Sequence, residues 1–249
     1  MTDGIRQVLQ EESDALRAYY EQAGILIARP AGGTSCRLAI SAKGGTNAEN
    51  HNHNDVGSYA VALGSETMVG DQGGPNSYPG DYFNGDAPQK YKIKGSFGHP
   101  VPVVDGRTQS SGGKAKGVVL QKEFTNEKDV FSIDYTSAYS TPNLDKLIRT
   151  FVYDRQGKGN FTVGDEFTAK TPIRFETAIT TRADWKVLDD THLLLATDSE
   201  QMIVAIDASG KVAFTSETIE VNSPAYTRIG IALKNQSKEG YIRLKMYTK

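Results

Sequence analysis

Cysteine occurs once in these 249 residues, at Cys36, so no internal disulfide can close, and the lone thiol reads as a small buried apolar residue. No apolar run reaches the roughly 18 residues of a membrane-spanning helix. Neither sign of charge is in excess. Lys and Arg number 28 against 30 Asp and Glu, a net charge of -2, which gives no footprint for nucleic acid or for an anionic membrane surface. The opening Met1-Thr2-Asp3-Gly4 has neither the basic nor the apolar region of a signal peptide. Gly112-Gly113-Lys114-Ala115 lacks the Ser/Thr and the glycine spacing of a phosphate loop. No fixed-period repeat and no linker divides the chain, and no Asp/Glu pair stands out as the couple of a glycoside hydrolase. The single tryptophan, Trp185, reads as a core or sheet-edge residue.

What is present is mostly β pattern. Ile5, Val8, Leu9, Leu16, Tyr19 and Tyr20 fall at roughly helical spacing, which predicts one helix over 5–20, ended by Gly24. Beyond it come short apolar runs punctuated by turn residues, at 25–28, 37–40, 58–63 and 67–69. Further runs follow at 118–124, 130–135, 147–153, 160–167, 174–180, 193–196, 202–206, 226–233 and 241–247. The expected fold is all-β: stacked antiparallel sheets in a sandwich or supersandwich-like arrangement, with one N-terminal helix. Residues 1–22 form the helical lead-in and 23–249 the β domain. The stretch 73–98, rich in Gly, Pro and Tyr, is atypical for a mere connector, and loops of that length are usually functional or disordered. Asp165-Glu166 reads as a solvated turn after a strand, and His192 as structural.

The densest chemistry lies in His51-Asn52-His53-Asn54-Asp55-Val56-Gly57-Ser58. In an extended segment alternate residues point the same way, about 7 Å apart, so His51, His53 and Asp55 would share one face. Two imidazoles and a carboxylate make a three-ligand set for Zn2+, and a neutral imidazole is equally the commonest general base near neutral pH. Asn52, Asn54 and Asp55 either orient the rings or hydrogen-bond turn backbone. His99 and Asp71 lie downstream. A two-residue hairpin at Gly64-Ser65 would pair Leu63 with Glu66 and set Asp71 opposite Ser58, too far from His53. A bulge or turn near Gly57 is therefore required if they are to meet.

Three stretches resemble the β-sheet domain of heparinase II/III-like polysaccharide lyases. The first is His51 to Tyr59, with its H-x-H-x-D-x-G-S core. The second is Met68-Val69-Gly70-Asp71-Gln72-Gly73-Gly74 with Tyr78 following, and the third is Gly98-His99-Pro100-Val101-Pro102-Val103-Val104-Asp105-Gly106 with Gln109 following. Together they span about 60 residues. The third departs from the family in carrying Pro100 where asparagine is frequent.

The resemblance implies a metal, Zn2+ with Ca2+ or Mn2+ as alternatives, held by His53, Asp71 and His99. His51 would face the cleft as the catalytic or substrate-binding histidine. It implies β-elimination on a uronic-acid-containing polysaccharide of glycosaminoglycan or alginate type, in the periplasm or outside the cell. Tyr78, Tyr82 and Tyr91 would stack on sugar faces, and Lys92, Lys94 or Arg107 would meet acidic groups. Of these, Tyr78, Tyr82 and Arg107 are the expected substrate-binding residues. Family members carry a helical toroid ahead of the β domain that completes the active site, so this chain reads as part of a longer enzyme, inactive alone, with the toroid as partner. A carbohydrate-binding β-sandwich with a structural metal, and a metal-dependent hydrolase, are the competing classes.

Overall fold

Alternation of apolar and polar residues shapes most of the chain. In β3 and β5, Leu38–Lys43 and Tyr59–Leu63, every second side chain is buried, as a strand with one covered face requires. The computed structural model describes residues 15–71, 74–221 and 223–249. Its strands run in chain order as β1 (Arg17–Tyr20), β2 (Ile25–Ala28), β3, β4 (Thr46–Asn47), β5, β6 (Glu66–Val69), β7 (Val103–Val104) and β8 (Gly112–Lys116). There follow β9 (Val118–Phe124), β10 (Lys128–Asp134), β11 (Leu144–Asp154), β12 (Asn160–Ile173), β13 (Phe175–Thr181) and β14 (Asp184–Asp189). The chain closes with β15 (His192–Ala196), β16 (Gln201–Ala208), β17 (Val212–Val221), β18 (Ser223–Leu233) and β19 (Ser237–Thr248). One short helix, α1 (Ala87–Lys90), lies in the long loop. No helix among the described residues is long and apolar enough to cross a membrane.

The strands form a five-stranded sheet (β1-β2-β3-β5-β6), an eight-stranded sheet (β14-β15-β16-β19-β12-β11-β10-β9), a four-stranded sheet (β17-β18-β13-β7) and the pair β4-β8. The fold is all-β, built of stacked antiparallel sheets. Both smaller sheets cover the same face of the large one. Tyr59 of β5 packs on Phe151 and Phe161, and Phe175 of β13 stacks on Phe167 with ring centres 4.6 Å apart. The smaller sheets meet at a seam where Thr180 and Thr181 hydroxyls donate to Gly70 O and Met68 O, at 2.6 and 2.7 Å. Asp71 follows directly. Trp185 sits on edge strand β14, packed against the core, and His192 pairs with Asp189 at 3.0 Å.

Two sequence expectations are corrected. The C-terminal part of the helix expected over 5–20 is strand β1, while 5–14 lies outside the described residues. Sheet packing overrides the helical spacing there: Tyr19 lies 5.7 Å from both Phe124 and Phe131, and Arg17 Nε donates to Asp129 at 2.8 Å. Asp165 is no solvated turn. It lies inside β12, 1% exposed, and is ion-paired with Arg149.

Candidate functional site

The segment 51–58 is not extended. His51 adopts the left-handed conformation (φ 57°) and Gly57 turns at φ 87°, with Ser58 N–H donating to Asp55 O at 2.9 Å. The alternate facing of His51, His53 and Asp55 is therefore lost. Asp55 turns inward to an ion pair with Lys43 and is not part of a ligand set with the two histidines. A left-handed non-glycine residue carries backbone strain, and such strain concentrates at functional positions.

The hairpin at Gly64-Ser65 forms as expected, with Leu63 opposite Glu66. Its register then shifts between Val61 and Ala62, so that Val61 faces Val69. Gly70 follows at φ 151°, where a Cβ would stand 2.6 Å from Ala60 Cβ. Only glycine fits, and the chain leaves the sheet there, carrying Asp71 toward His53.

His53, Asp71 and His99 converge, each offering one ligand atom within 4.8 Å of the others. His53 Nδ1 is 3.2 Å from His99 Nε2, and His99 Nδ1 is 3.7 Å from Asp71 Oδ2. With Zn–N bonds of about 2.0–2.1 Å, two nitrogens on a tetrahedral ion stand about 3.4 Å apart, close to the separation seen. Burial, reinforced by the neighbouring His99, pushes the His53 pKa down to about 4, so its ring is neutral and its lone pair available at ordinary pH. His99 is fully buried, and among the described residues its Nδ1 has no hydrogen-bond partner. The residues fit a metal ion by donor type, by the neutral His53 ring and by the separation of the two histidine nitrogens.

Two charged residues hold this arrangement: Arg149, which sequence reasoning passed over, and Asp165, which it read as a solvated turn. Arg149 and Asp165 are cross-strand neighbours on β11 and β12, and both are essentially unexposed. Arg149 Nε and Nη2 donate to the two Asp165 oxygens at 2.7 and 2.6 Å, and Tyr135 and Thr177 hydroxyls donate to the same carboxylate. Arg149 Nη1 donates to Gly57 O and to Pro100 O, both at 2.7 Å. One guanidinium thus ties the loop of His53 to the loop of His99. Gln109 adds a second tie: its amide donates to Val56 O and its Oε1 accepts from Val56 N–H, at 2.7 and 3.0 Å. A signal for the ion pair existed in the sequence. Arg149 has the parity of Leu147, Phe151 and Tyr153, and Asp165 that of Phe161, Val163 and Phe167, all inward-facing.

Beside the cluster lies a cleft of about 470 Å³, lined by His51, Asn52, Asn54, Phe83 and Lys94 among others. Phe83 is 53% exposed and meets the His51 ring edge-on at 5.1 Å. Tyr78 is exposed and packs 5.1 Å from Phe83, which extends the aromatic surface. Tyr82 is 2% exposed and anchors the long loop in a small core with Ile93, Ile219 and Tyr226, so its ring is not available to stack on a sugar. Arg107 is exposed in the Val104–Arg107 turn and does not line the cleft. Tyr91 is bound to Asp81, and Lys92 pairs with Glu217 at the surface. Phe83 was missed beside Tyr82 because nothing in a loop sequence tells which of two adjacent aromatics faces the cleft.

No protein-family model and no curated protein matches the sequence. Solved structures do resemble the fold. A mutant of heparan sulfate lyase HepC from Pedobacter heparinus superposes with a TM-score of 0.75 at 16% identity, over 95% of this chain and 37% of that one. A structure of heparinase III gives 0.72 at 17% identity, over 93% of this chain and 36% of that one. The chain thus spans little more than a third of the length of these lyases. Over almost its whole length, it has the fold of one part of a heparinase.

Proposed function

We propose that this chain is the β domain of a polysaccharide lyase that cleaves a uronic-acid-containing polysaccharide, of glycosaminoglycan or alginate type, by β-elimination. One observation carries the reading: His53, Asp71 and His99 converge beside a cleft that His51 lines, on a heparinase-like fold. In β-elimination a base takes the proton on carbon 5 once the adjacent carboxylate is neutralised. The bond from carbon 4 to the glycosidic oxygen breaks as the carbon 4–5 double bond forms, and that oxygen takes up a proton. His51 presents an exposed imidazole to the cleft and serves either as donor to that carboxylate or as proton carrier to the leaving oxygen. His53, Asp71 and His99 would hold the metal, Zn2+ by donor type, whose chemistry there is a fixed positive charge and a cross-link between three loops. A helical toroid supplies the other wall of the cleft, and the enzyme works in the periplasm or outside the cell.

The reading is tested by ultraviolet absorbance of unsaturated ends. A protein extended through the coding region upstream of Met1 should generate them from a uronate polysaccharide, and the 249-residue chain alone should generate few or none. Saturated products would replace the lyase with a hydrolase. Binding without cleavage by the extended protein would leave a carbohydrate-binding domain.

A further inference from the structure

Lys94 is only 5% exposed, an uncommon state for a lysine that has no carboxylate partner among the described residues. Among the described residues its ammonium makes one hydrogen bond, to Tyr82 O at 2.6 Å, out of the three it can donate. The same nitrogen lies 4.9 and 5.1 Å from the ring centres of Tyr82 and Phe83. Burial pulls the pKa of this group below its ordinary value. Lys94 also lines the His51 cleft, where Asn52 Oδ1 and Asn54 Oδ1 are both buried without a hydrogen-bond partner among the described residues. Asn54 is 2% exposed, and its amide nitrogen is already committed to Ser111 Oγ at 2.9 Å.

A buried cation short of acceptors and two buried acceptors short of donors share one cleft. Neither asparagine oxygen accepts from the ammonium, so they do not satisfy one another. A buried group left unmatched costs free energy until a ligand pairs with it. The complementary molecule carries an anion and hydroxyl donors on one small ring, with an apolar face for the exposed Phe83. That is an acidic sugar, and the cleft volume lies in the usual range for ligand pockets, about 300–1,000 Å³.

We propose that Lys94 is the anion anchor of this cleft, pairing with the carboxylate or sulfate of an acidic sugar whose hydroxyls donate to Asn52 Oδ1 and Asn54 Oδ1. The assignment rests on the polysaccharide reading above and adds to it the residue that selects for charge. Glu49, the acidic residue of the lining, already accepts from Thr46 Oγ1 at 2.9 Å and does not neutralise Lys94.

The test is calorimetric binding of three oligosaccharides to the 249-residue chain: an unsulfated one containing glucuronate, its carboxyl-reduced counterpart, and that counterpart carrying O-sulfate. The anchor predicts that a charged form binds about tenfold more tightly than the neutral one, as loss of one charge-assisted hydrogen bond implies. The first oligosaccharide reports carboxylate and the third reports sulfate. In Lys94→Gln the contrast between charged and neutral ligands should vanish while the neutral one binds as before, and Lys94→Arg should restore part of it. These ligand comparisons on the unmodified protein decide the matter even if Lys94→Gln does not fold. Equal binding of all three overturns the anchor alone. Binding of none by the 249-residue chain overturns the anchor, while the polysaccharide reading stands or falls on the ultraviolet assay of the extended protein.

Discussion

His53 Nδ1 and His99 Nε2 stand 3.2 Å apart although 46 residues separate them in the chain. Two imidazole nitrogens that close, with Asp71 alongside, form either a bare hydrogen bond or two corners of a coordination sphere. The distinction is measurable. The purified chain should bind one Zn2+ with an increase in melting temperature, since a ligand at 100 times its Kd stabilises by about 2.7 kcal/mol. His53→Ala and Asp71→Asn should each abolish or sharply weaken that binding, read by metal analysis after dialysis. Retention of the full metal content in both variants would show that the ion sits elsewhere.

The metal-free protein should show an acid-side loss of stability traceable to His53. Its folded pKa is depressed to about 4, below the roughly 6.5 of an unfolded histidine. The unfolded chain therefore takes up the proton first. The associated stability is complete above about pH 6.5 and drains away as pH falls toward 4. Nuclear magnetic resonance of the His53 ring should give a midpoint well below 6, and a midpoint near 6.5 would show that the ring is not desolvated as described.

Arg149→Met should destabilise the protein by about 3–5 kcal/mol, because it leaves Asp165 buried and unpaired. Adding Asp165→Leu should recover much of that loss in urea unfolding. It should not recover tight metal binding, because Gly57 O and Pro100 O still lack their shared donor. Metal affinity that returned together with stability would mean that the guanidinium does not position the two histidine loops.

His51→Ala, placed in the extended protein, should lower elimination turnover by about 100-fold or more, the scale of a lost acid–base or charge-stabilising group. Metal content should not change, because His51 is outside the His53–Asp71–His99 group. Full activity in this variant would remove His51 from the chemistry.

The β architecture was legible because alternation is strong where one face is covered, and the hairpin register at Leu63 and Glu66 followed from the turn residues alone. The strands that escaped notice lack that contrast. Nearly every residue of β14 is exposed, and β8 begins with two glycines. The path of 51–58 was legible only at Gly57, where a turn was required and is found. Alternation predicted an extended run, but the left-handed turn at His51 and the demand of Lys43 for Asp55 are tertiary effects. His53, Asp71 and His99 came from motif resemblance, and no local pattern reveals that Gly70 must yield to the Ala60 methyl for Asp71 to arrive. Tyr82 was misjudged because a loop tyrosine has no sequence mark separating a ring that faces solvent from one that pins the loop down.

The Arg149 clamp also bears on the order in which the molecule assembles. Arg149 and Asp165 lie on neighbouring strands joined by a short connection, so their pairing closes a small loop of chain. Gly57 O and Pro100 O come from 92 and 49 residues away. Distant contacts of this kind form slowly, since more chain must be ordered before they repay the entropy lost. The hairpin of β11 and β12 can exist before the clamp has anything to hold, and the side chains of His53, Asp71 and His99 meet only after the layers dock. In a refolding time course, competence to bind metal would therefore mark completion of the fold, trailing the appearance of β structure.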